Sequence, residues 1–235
     1  MFLKRKAADK VYLFLAGVFI ASLVAGNLIF QKFFYWNLGF FKFELSVGIL
    51  PYPITFLVTD IISEIYGRRK ADMVVFSGLI ASAFIMILTI VSDAAPATAW
   101  SPINDETYHK VFGLFGPAVF ASMTAYLTAQ FIDIRLFHFW MRVTEGRQLW
   151  LRNNASTVVS QFVDTFAVLF LLCSFEVIAW DKFGLLLVNG FLFKMLVALA
   201  DTPLFYFFSW YLRRSFGLKL GEQYTVTTAD LVVGS

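Results

Sequence analysis

Residues 47–70 have the sequence VGILPYPITFLVTDIISEIYGRRK, a mainly apolar run that ends in a basic cluster. At about 1.5 Å per residue, the part before the cluster is long enough to cross about 30 Å of hydrocarbon as a helix. Asp60 and Glu64 interrupt this run, although a charge inside a bilayer costs free energy. The stretch is therefore predicted to be a transmembrane helix whose acids face a partner or a wet cavity.

The composition of the whole chain agrees with a membrane protein. Of its 235 residues, 59% are hydrophobic and 15% are charged, whereas a soluble domain has about 45–50% apolar and about 25% charged residues. The mean hydropathy is +0.73. Because Cys173 is the single cysteine, the chain forms no intramolecular disulfide and no cysteine metal cluster. The composition predicts an all-α protein embedded in a lipid bilayer.

Six apolar segments are long enough to span the bilayer as helices. Their predicted ranges are 11–30, 47–66, 72–92, 116–137, 154–177 and 184–211. They form one transmembrane domain over residues 1–211, and residues 212–235 are predicted to be a flexible cytoplasmic tail. The first segment is too long for the apolar part of a signal peptide. Residues 31–47 are predicted to be an extended or hairpin excursion at the interface, and residues 92–115 a loop with a short surface helix.

Lysine and arginine lie mainly on one side of the predicted membrane. With the N-terminus inside, 14 of the 19 are cytoplasmic, 4 lie on the outer side, and Lys194 lies within the last span. Because cytoplasmic loops are enriched in these residues, the distribution predicts an even number of spans with both termini in the cytoplasm.

Polar residues within the predicted spans are the candidates for a functional site. They are Asn27, Asp60, Glu64, Gln130, Asp133, Gln161, Asp164, Lys194 and Asp201. Asp164 and Lys194 each lie about ten residues into their spans, so both are predicted to lie about 15 Å deep. In antiparallel neighbouring helices they would meet near the midplane. Lys194 can be held by Asp164, by Asp201, or by both. Such a contact is either a structural ion pair or part of a pathway for a substrate or proton.

The fourth and fifth spans share a short pattern, A-Q-F-I-D over residues 129–133 and S-Q-F-V-D over residues 160–164. The spacing places an amide and a carboxylate on one helix face in each span. A carboxylate can accept from a ring N–H and an exocyclic NH₂ together, while an amide can donate to a carbonyl. The pattern is therefore suited to binding a planar heterocycle.

Other polar residues have structural explanations. Glu64 is expected to pair with Arg68 or Arg69 at the cytoplasmic end of the second span. Asn153 or Asn154 is expected to cap the fifth span. These expectations compete with a role in binding.

The sequence lacks the motifs of several enzyme classes. It contains no G-x-x-x-x-G-K-[ST] loop for ATP hydrolysis, no H-E-x-x-H and no G-x-S-x-G. The two histidines, His109 and His138, lie in or near predicted loops. We therefore expect no enzyme activity, no catalytic residue, no metal site, no cofactor and no nucleic-acid partner.

Several motifs together resemble a known family. They are D-I-I-S-E-I-Y-G over residues 60–67, A-Q-x-x-D over 129–133, R-N-N-x-S-T-x-x-x-Q-x-x-D-T over 152–165, and Lys194 with Pro203. Their order and spacing over nearly the whole chain resemble the queuosine-precursor transporters, which are also called vitamin uptake transporters.

The resemblance implies a bacterial inner-membrane importer of 7-deazaguanine precursors of queuosine, for salvage of this tRNA modification. The precursors are 7-cyano- or 7-aminomethyl-7-deazaguanine, or queuine. It also implies a six-helix fold similar to the substrate-binding component of energy-coupling-factor importers. Carried onto this chain, it assigns substrate binding to Asp60, Gln130, Asp133, Gln161, Asp164 and Lys194, to which we add the intramembrane residues Asn27 and Asp201.

Three hypotheses of function stay open at this point. The first is an importer, facilitative or coupled to a cation, in which a membrane acid cycles a proton. The second is a solute-binding subunit that depends on a separate ATPase module. The third is a membrane scaffold with structural ion pairs only. The precursor, the coupling ion and any homo-oligomer are not determined by the sequence.

Overall fold

The structure, a computed structural model, describes residues 2–29, 32–37, 39, 42–112, 116–145, 147–176 and 178–224. Over these residues the chain forms seven α-helices and a two-stranded sheet. The helices are α1 (Phe2–Ile29), α2 (Tyr52–Tyr66), α3 (Arg68–Asp93), α4 (Asp105–Phe112), α5 (Gly116–Val143), α6 (Leu149–Ser174) and α7 (Phe183–Phe216). The architecture agrees with the predicted all-α class, and each predicted span overlaps one of the long helices.

Five segments are long and apolar enough to cross a membrane. Within the described residues they are Ala7–Ile29, Val47–Tyr66, Arg68–Asp93, Asn154–Ser174 and Trp180–Phe216. The helix α5 is not among these five, although its 28 residues give it a length of about 42 Å. The count of six spans therefore stays a prediction. Large apolar side chains such as Phe14, Ile80 and Phe84 are exposed on the helix surfaces, as expected for contact with lipid.

The segment between the first two long helices is an antiparallel hairpin, which confirms the predicted excursion. Its strands are β1 (Phe33–Asn37) and β2 (Lys42–Ser46), with Tyr35 opposite Glu44. A two-stranded hairpin is marginally stable alone. Trp36 and Phe43 pack on Phe193 of α7, with ring centroids 5.4 and 5.7 Å apart respectively. This contact attaches the hairpin to the helix bundle.

The loop between α3 and α5 contains the short helix α4, which confirms the helix predicted within residues 92–115. Asp105 and Glu106 lie in its first turn, and His109 and Lys110 lie in its last turn. This charge order favours a helix because it opposes the helix dipole. Lys110 donates to Glu106 at 2.6 Å, and both side chains are exposed. The helix therefore lies on the surface of the molecule.

The apolar core lies where α1, α2, α3, α5 and α7 meet. Phe19, Ile62, Ile65, Phe137 and Phe205 are among its fully buried side chains. The contact between α1 and α3 is close at Gly78, where an added Cβ would lie 2.7 Å from a ring carbon of Phe19. This core fixes α2 against its neighbours and thereby positions the polar residues at the other side of α2.

The chain after α7 turns back onto the bundle. Gly217 ends the helix in the left-handed conformation, with φ of 75°. The N–H of Tyr224 donates to the carbonyl of Ile65 at 2.6 Å, and its ring packs on Tyr66. The first part of the predicted tail thus contacts the end of α2. The flexibility predicted for the tail stays a prediction for residues 225–235, which lie outside the described residues.

Candidate functional site

A partly open polar cleft lies between α2, α6 and α7. Its empty space, including the part open to solvent, is about 440 Å³. Its walls include Tyr52, Phe56 and Asp60 from α2, Thr157 and Gln161 from α6, and Phe193, Lys194 and Asp201 from α7. Four of the sequence-predicted site residues therefore line one cleft: Asp60, Gln161, Lys194 and Asp201.

The ion pair predicted between the last two spans is present at this cleft. The Lys194 ammonium donates to a carboxylate oxygen of Asp164 at 2.5 Å, and the two side chains are only 10% and 6% exposed. The same ammonium lies 4.5 Å from the ring centroid of Tyr52, which adds a cation–π contact. Of the two acids that could hold Lys194, the structure selects Asp164.

The other two acids of the cleft have no such partner. Neither Asp60 nor Asp201 forms an ion pair with a lysine or arginine among the described residues. Asp60 is 3% exposed, and Asp201 is half-buried. The cleft therefore contains carboxyl groups that its own cation does not neutralise.

Two further polar atoms on the wall have no hydrogen-bond partner among the described residues. They are Oε1 of Gln161 and Oγ1 of Thr157, and each side chain is 4% exposed. A buried polar atom without a partner costs about 1–3 kcal/mol. Such atoms favour a ligand or water that supplies the missing hydrogen bonds.

Gln130 and Asp133 lie behind the cleft wall, between α5 and its neighbours. Both side chains are fully buried. Gln130 donates to the Tyr126 hydroxyl at 2.5 Å, and the Ser160 hydroxyl donates to Asp133 at 2.7 Å. The similar sequences of α5 and α6 thus occupy different positions. Gln161 lines the cleft, while Gln130 and Asp133 support the helices that form it.

Asn27 is separate from the cleft. It borders a smaller crevice of about 220 Å³ between α1, α3 and α5, together with Ser82 and Leu127. Its side-chain nitrogen has no hydrogen-bond partner among the described residues. The structure therefore does not bring Asn27 together with the other predicted site residues.

The partner expected for Glu64 was wrong. Its carboxylate accepts from Arg213 of α7 at 3.1 and 2.5 Å, whereas Arg68 pairs with Asp72 one turn along α3. Since α3 begins at Arg68 and leads away from Glu64, the end of α7 reaches this carboxylate instead. This ion pair connects α2 to α7. Arg213 also donates a hydrogen bond to the carbonyl of Lys219.

The cap expected for the fifth span was also wrong. The helix α6 begins at Leu149, after Gln148, so Asn153 and Asn154 lie inside it. Asn154 donates back to the carbonyl of Trp150 at 3.0 Å and accepts from Thr202 of α7 at 3.3 Å. Its amide therefore joins α6 to α7 rather than closing a helix end.

Sequence reasoning missed the aromatic part of the cleft. Tyr52 and Phe56 form one wall with ring centroids 5.1 Å apart, and Phe193 lies on the wall formed by α7. A signal was present, because Tyr52, Phe56, Asp60 and Glu64 follow one another at four-residue spacing and so share one helix face. The flat rings provide surfaces on which a planar ligand can stack.

A bundle of long apolar helices defines the class: a polytopic α-helical membrane protein. The family model described as "Putative vitamin uptake transporter" matches residues 46–208. The chain belongs to this family.

Relatives in bacteria support the same family. The chain is 30% identical over 173 residues to the "Probable queuosine precursor transporter" of Bacillus subtilis, covering 71% of this chain and 72% of the relative. It is 26% identical over 129 residues to the "Queuosine precursor transporter" of Escherichia coli, covering 55% of each chain. The second match thus spans about half of that relative. No solved structure matches the chain significantly.

Proposed function

We propose that this protein imports a 7-deazaguanine precursor of queuosine across the bacterial inner membrane and binds it in the cleft between α2, α6 and α7. The observation that carries the proposal is the Lys194–Asp164 pair, which lies at a cleft wall beside the unpartnered amide oxygen of Gln161. Two bacterial relatives are named for transport of queuosine precursors.

The chemistry of the cleft suits a deazaguanine. Such a base carries ring N–H and NH₂ donors for carboxylate and amide oxygens, and a carbonyl that can accept from Lys194. Its flat face can stack on Tyr52 or Phe193, which line the cleft. A bound base would supply hydrogen bonds that the oxygens of Gln161 and Thr157 lack.

The orientation of the bundle is proposed from its basic loops. The excess of lysine and arginine in alternate loops favours a bundle with both termini in the cytoplasm. We propose that import is facilitative or coupled to a cation, with a buried carboxyl group of the cleft as the group that carries the coupling proton.

Uptake by the purified chain in liposomes tests the proposal. We expect saturable entry of a radiolabelled 7-deazaguanine, measured with and without a pH gradient, and competition by the unlabelled base. Empty liposomes and liposomes with the double variant, Asp164→Asn with Lys194→Met, serve as controls. Entry without any added ATPase would exclude dependence on a separate energising subunit. Absence of both binding and uptake at every pH gradient would contradict the proposal.

A further inference from the structure

The ionisable groups that the structure describes around the cleft are not balanced in charge. Those contributed by the packed helices are Asp60 and Glu64 from α2, Asp133 from α5, Asp164 from α6, and Lys194, Asp201 and Arg213 from α7. Lys194 is held by Asp164, and Arg213 is held by Glu64. Among the side chains that the structure describes, both buried cations are therefore already paired with other acids, and the cleft walls keep the carboxyl groups of Asp60 and Asp201.

The imbalance has an energetic consequence for the ligand. A carboxylate that is removed from water is costly unless a cation or several donors accompany it. A cationic ligand supplies the missing charge, and the oxygens of Gln161 and Thr157 offer further acceptors on the same wall. A neutral ligand with an acceptor at the same position would instead face the carboxylate and amide oxygens, which have no proton to donate.

Asp201 is better placed than Asp60 to meet such a cation. Asp60 is 3% exposed and lies within hydrogen-bonding reach of the Asp133 carboxyl group behind the wall. Asp201 is half-buried and lines the cleft, so an ammonium group can approach it while keeping part of its water. The Asp60 carboxylate then remains available to accept hydrogen bonds from N–H groups of the ligand's ring.

We infer that Asp201 determines specificity in this cleft by pairing with an ammonium group on the substrate, so that a deazaguanine with a protonated amine substituent is transported in preference to a neutral one. The inference rests on the proposed function and deepens it. Of the small precursors, the 7-aminomethyl base carries such a cation, while the 7-cyano base has the same number of heavy atoms in its substituent and no charge.

These two bases form a matched pair for the test. Uptake of each is measured in liposomes with the wild-type chain, Asp201→Asn, Asp201→Glu, and the control Asp72→Asn, whose carboxylate pairs with Arg68 away from the cleft. We expect the wild type to prefer the aminomethyl base by about tenfold or more in uptake efficiency, as a charged hydrogen bond can provide. Asp201→Asn should abolish most of this preference, while Asp201→Glu and Asp72→Asn should retain it.

The outcomes separate the inference from the proposed function. If the wild type transports neither base, both fail. If it transports the two bases equally or prefers the cyano base, or if Asp201→Asn keeps the full preference, the function stands and the inference is wrong. Folding of each variant is checked by thermal unfolding in detergent. Should Asp201→Asn fail to fold, Asp201→Ser replaces it, and inhibition of wild-type uptake of one base by the other gives an independent measure of preference.

Discussion

Lys194 and Asp164 depend on each other because both are removed from water inside the bundle. Attraction between two buried charges offsets their desolvation only when the geometry is good, and removal of one partner leaves the other charge uncompensated. The pair can therefore stabilise the contact of α6 with α7 and also present an ammonium group to a substrate. Stability and transport report these two roles separately.

The first prediction separates the roles by substitution at one or both positions. Lys194→Met alone should lower the free energy of unfolding by about 3–5 kcal/mol, because the Asp164 carboxylate loses its cation. Asp164→Asn combined with Lys194→Met should recover much of this stability, since neither charge remains. Unfolding in detergent measures stability, and uptake in liposomes measures transport.

The double variant distinguishes a transporter from a scaffold. We expect it to fold but to lose uptake, because the cleft then lacks the ammonium donor. Uptake at the wild-type rate in this folded variant would show that the pair is structural only. The control is the exposed pair of Lys110 and Glu106 in α4. Replacing Lys110 by Met and Glu106 by Gln should change neither the stability nor the uptake.

At the scale of elements, the corner between α2 and α3 depends on a single glycine. Gly67 has φ of 84°, a conformation that glycine adopts without steric cost. An added Cβ would lie 2.6 Å from Oε1 of Gln223. The corner, the end of α2 and the returning segment after α7 are therefore packed against one another.

The second prediction concerns this corner. Gly67→Ala should lower the free energy of unfolding by about 1–3 kcal/mol, because alanine at positive φ is strained and its Cβ contacts Gln223. Adding Gln223→Ala should remove the contact between the alanine Cβ and Gln223. It should recover only part of the lost stability, since the backbone strain at position 67 remains. Thermal unfolding in detergent measures each variant.

A glycine of the same chain provides the control. Gly17 lies within α1, and an added Cβ there would have nothing within 4 Å. Gly17→Ala should therefore be neutral or stabilising, because alanine favours the helix. A loss of stability at Gly17 equal to that at Gly67 would contradict the assigned role of the corner.

For the whole molecule, the orientation in the membrane decides which end of the cleft meets the outside. The excess of basic residues at alternate loops predicts that α4 lies outside and that the end of α7 lies in the cytoplasm. Thr107 in α4 and Ser215 in the last turn of α7 are both exposed. They are therefore suitable positions for chemical labels.

The third prediction follows from this orientation. In a Cys173→Ser background, Thr107→Cys should react with a membrane-impermeant maleimide in intact spheroplasts, and Ser215→Cys should react only after the membrane is permeabilised. Gel shift after labelling measures both. The reverse labelling pattern would show that the orientation is the opposite of the predicted one. Labelling of both positions in intact spheroplasts would place α4 and the end of α7 on the same side of the membrane, contrary to the six predicted spans.

The sequence by itself determined the class of the protein, because the length of an apolar run and the position of basic residues depend only on the chain and the bilayer. It also predicted the hairpin before α2, the short helix α4, and the equal depths of Asp164 and Lys194 in two helices. These features can be inferred from the positions of residues along the chain, without knowing which helices are neighbours.

Only the tertiary structure decided which polar residues share the cleft. Glu64 pairs with Arg213, 149 positions along the chain, and Asn154 bonds to Thr202 instead of capping a helix. The patterns around Gln130 and Gln161 are alike in sequence, yet one lies behind the wall and the other lines it. Helix periodicity fixes which residues share a face, but the rotation of each helix and the choice of its neighbours are set by packing of the whole bundle.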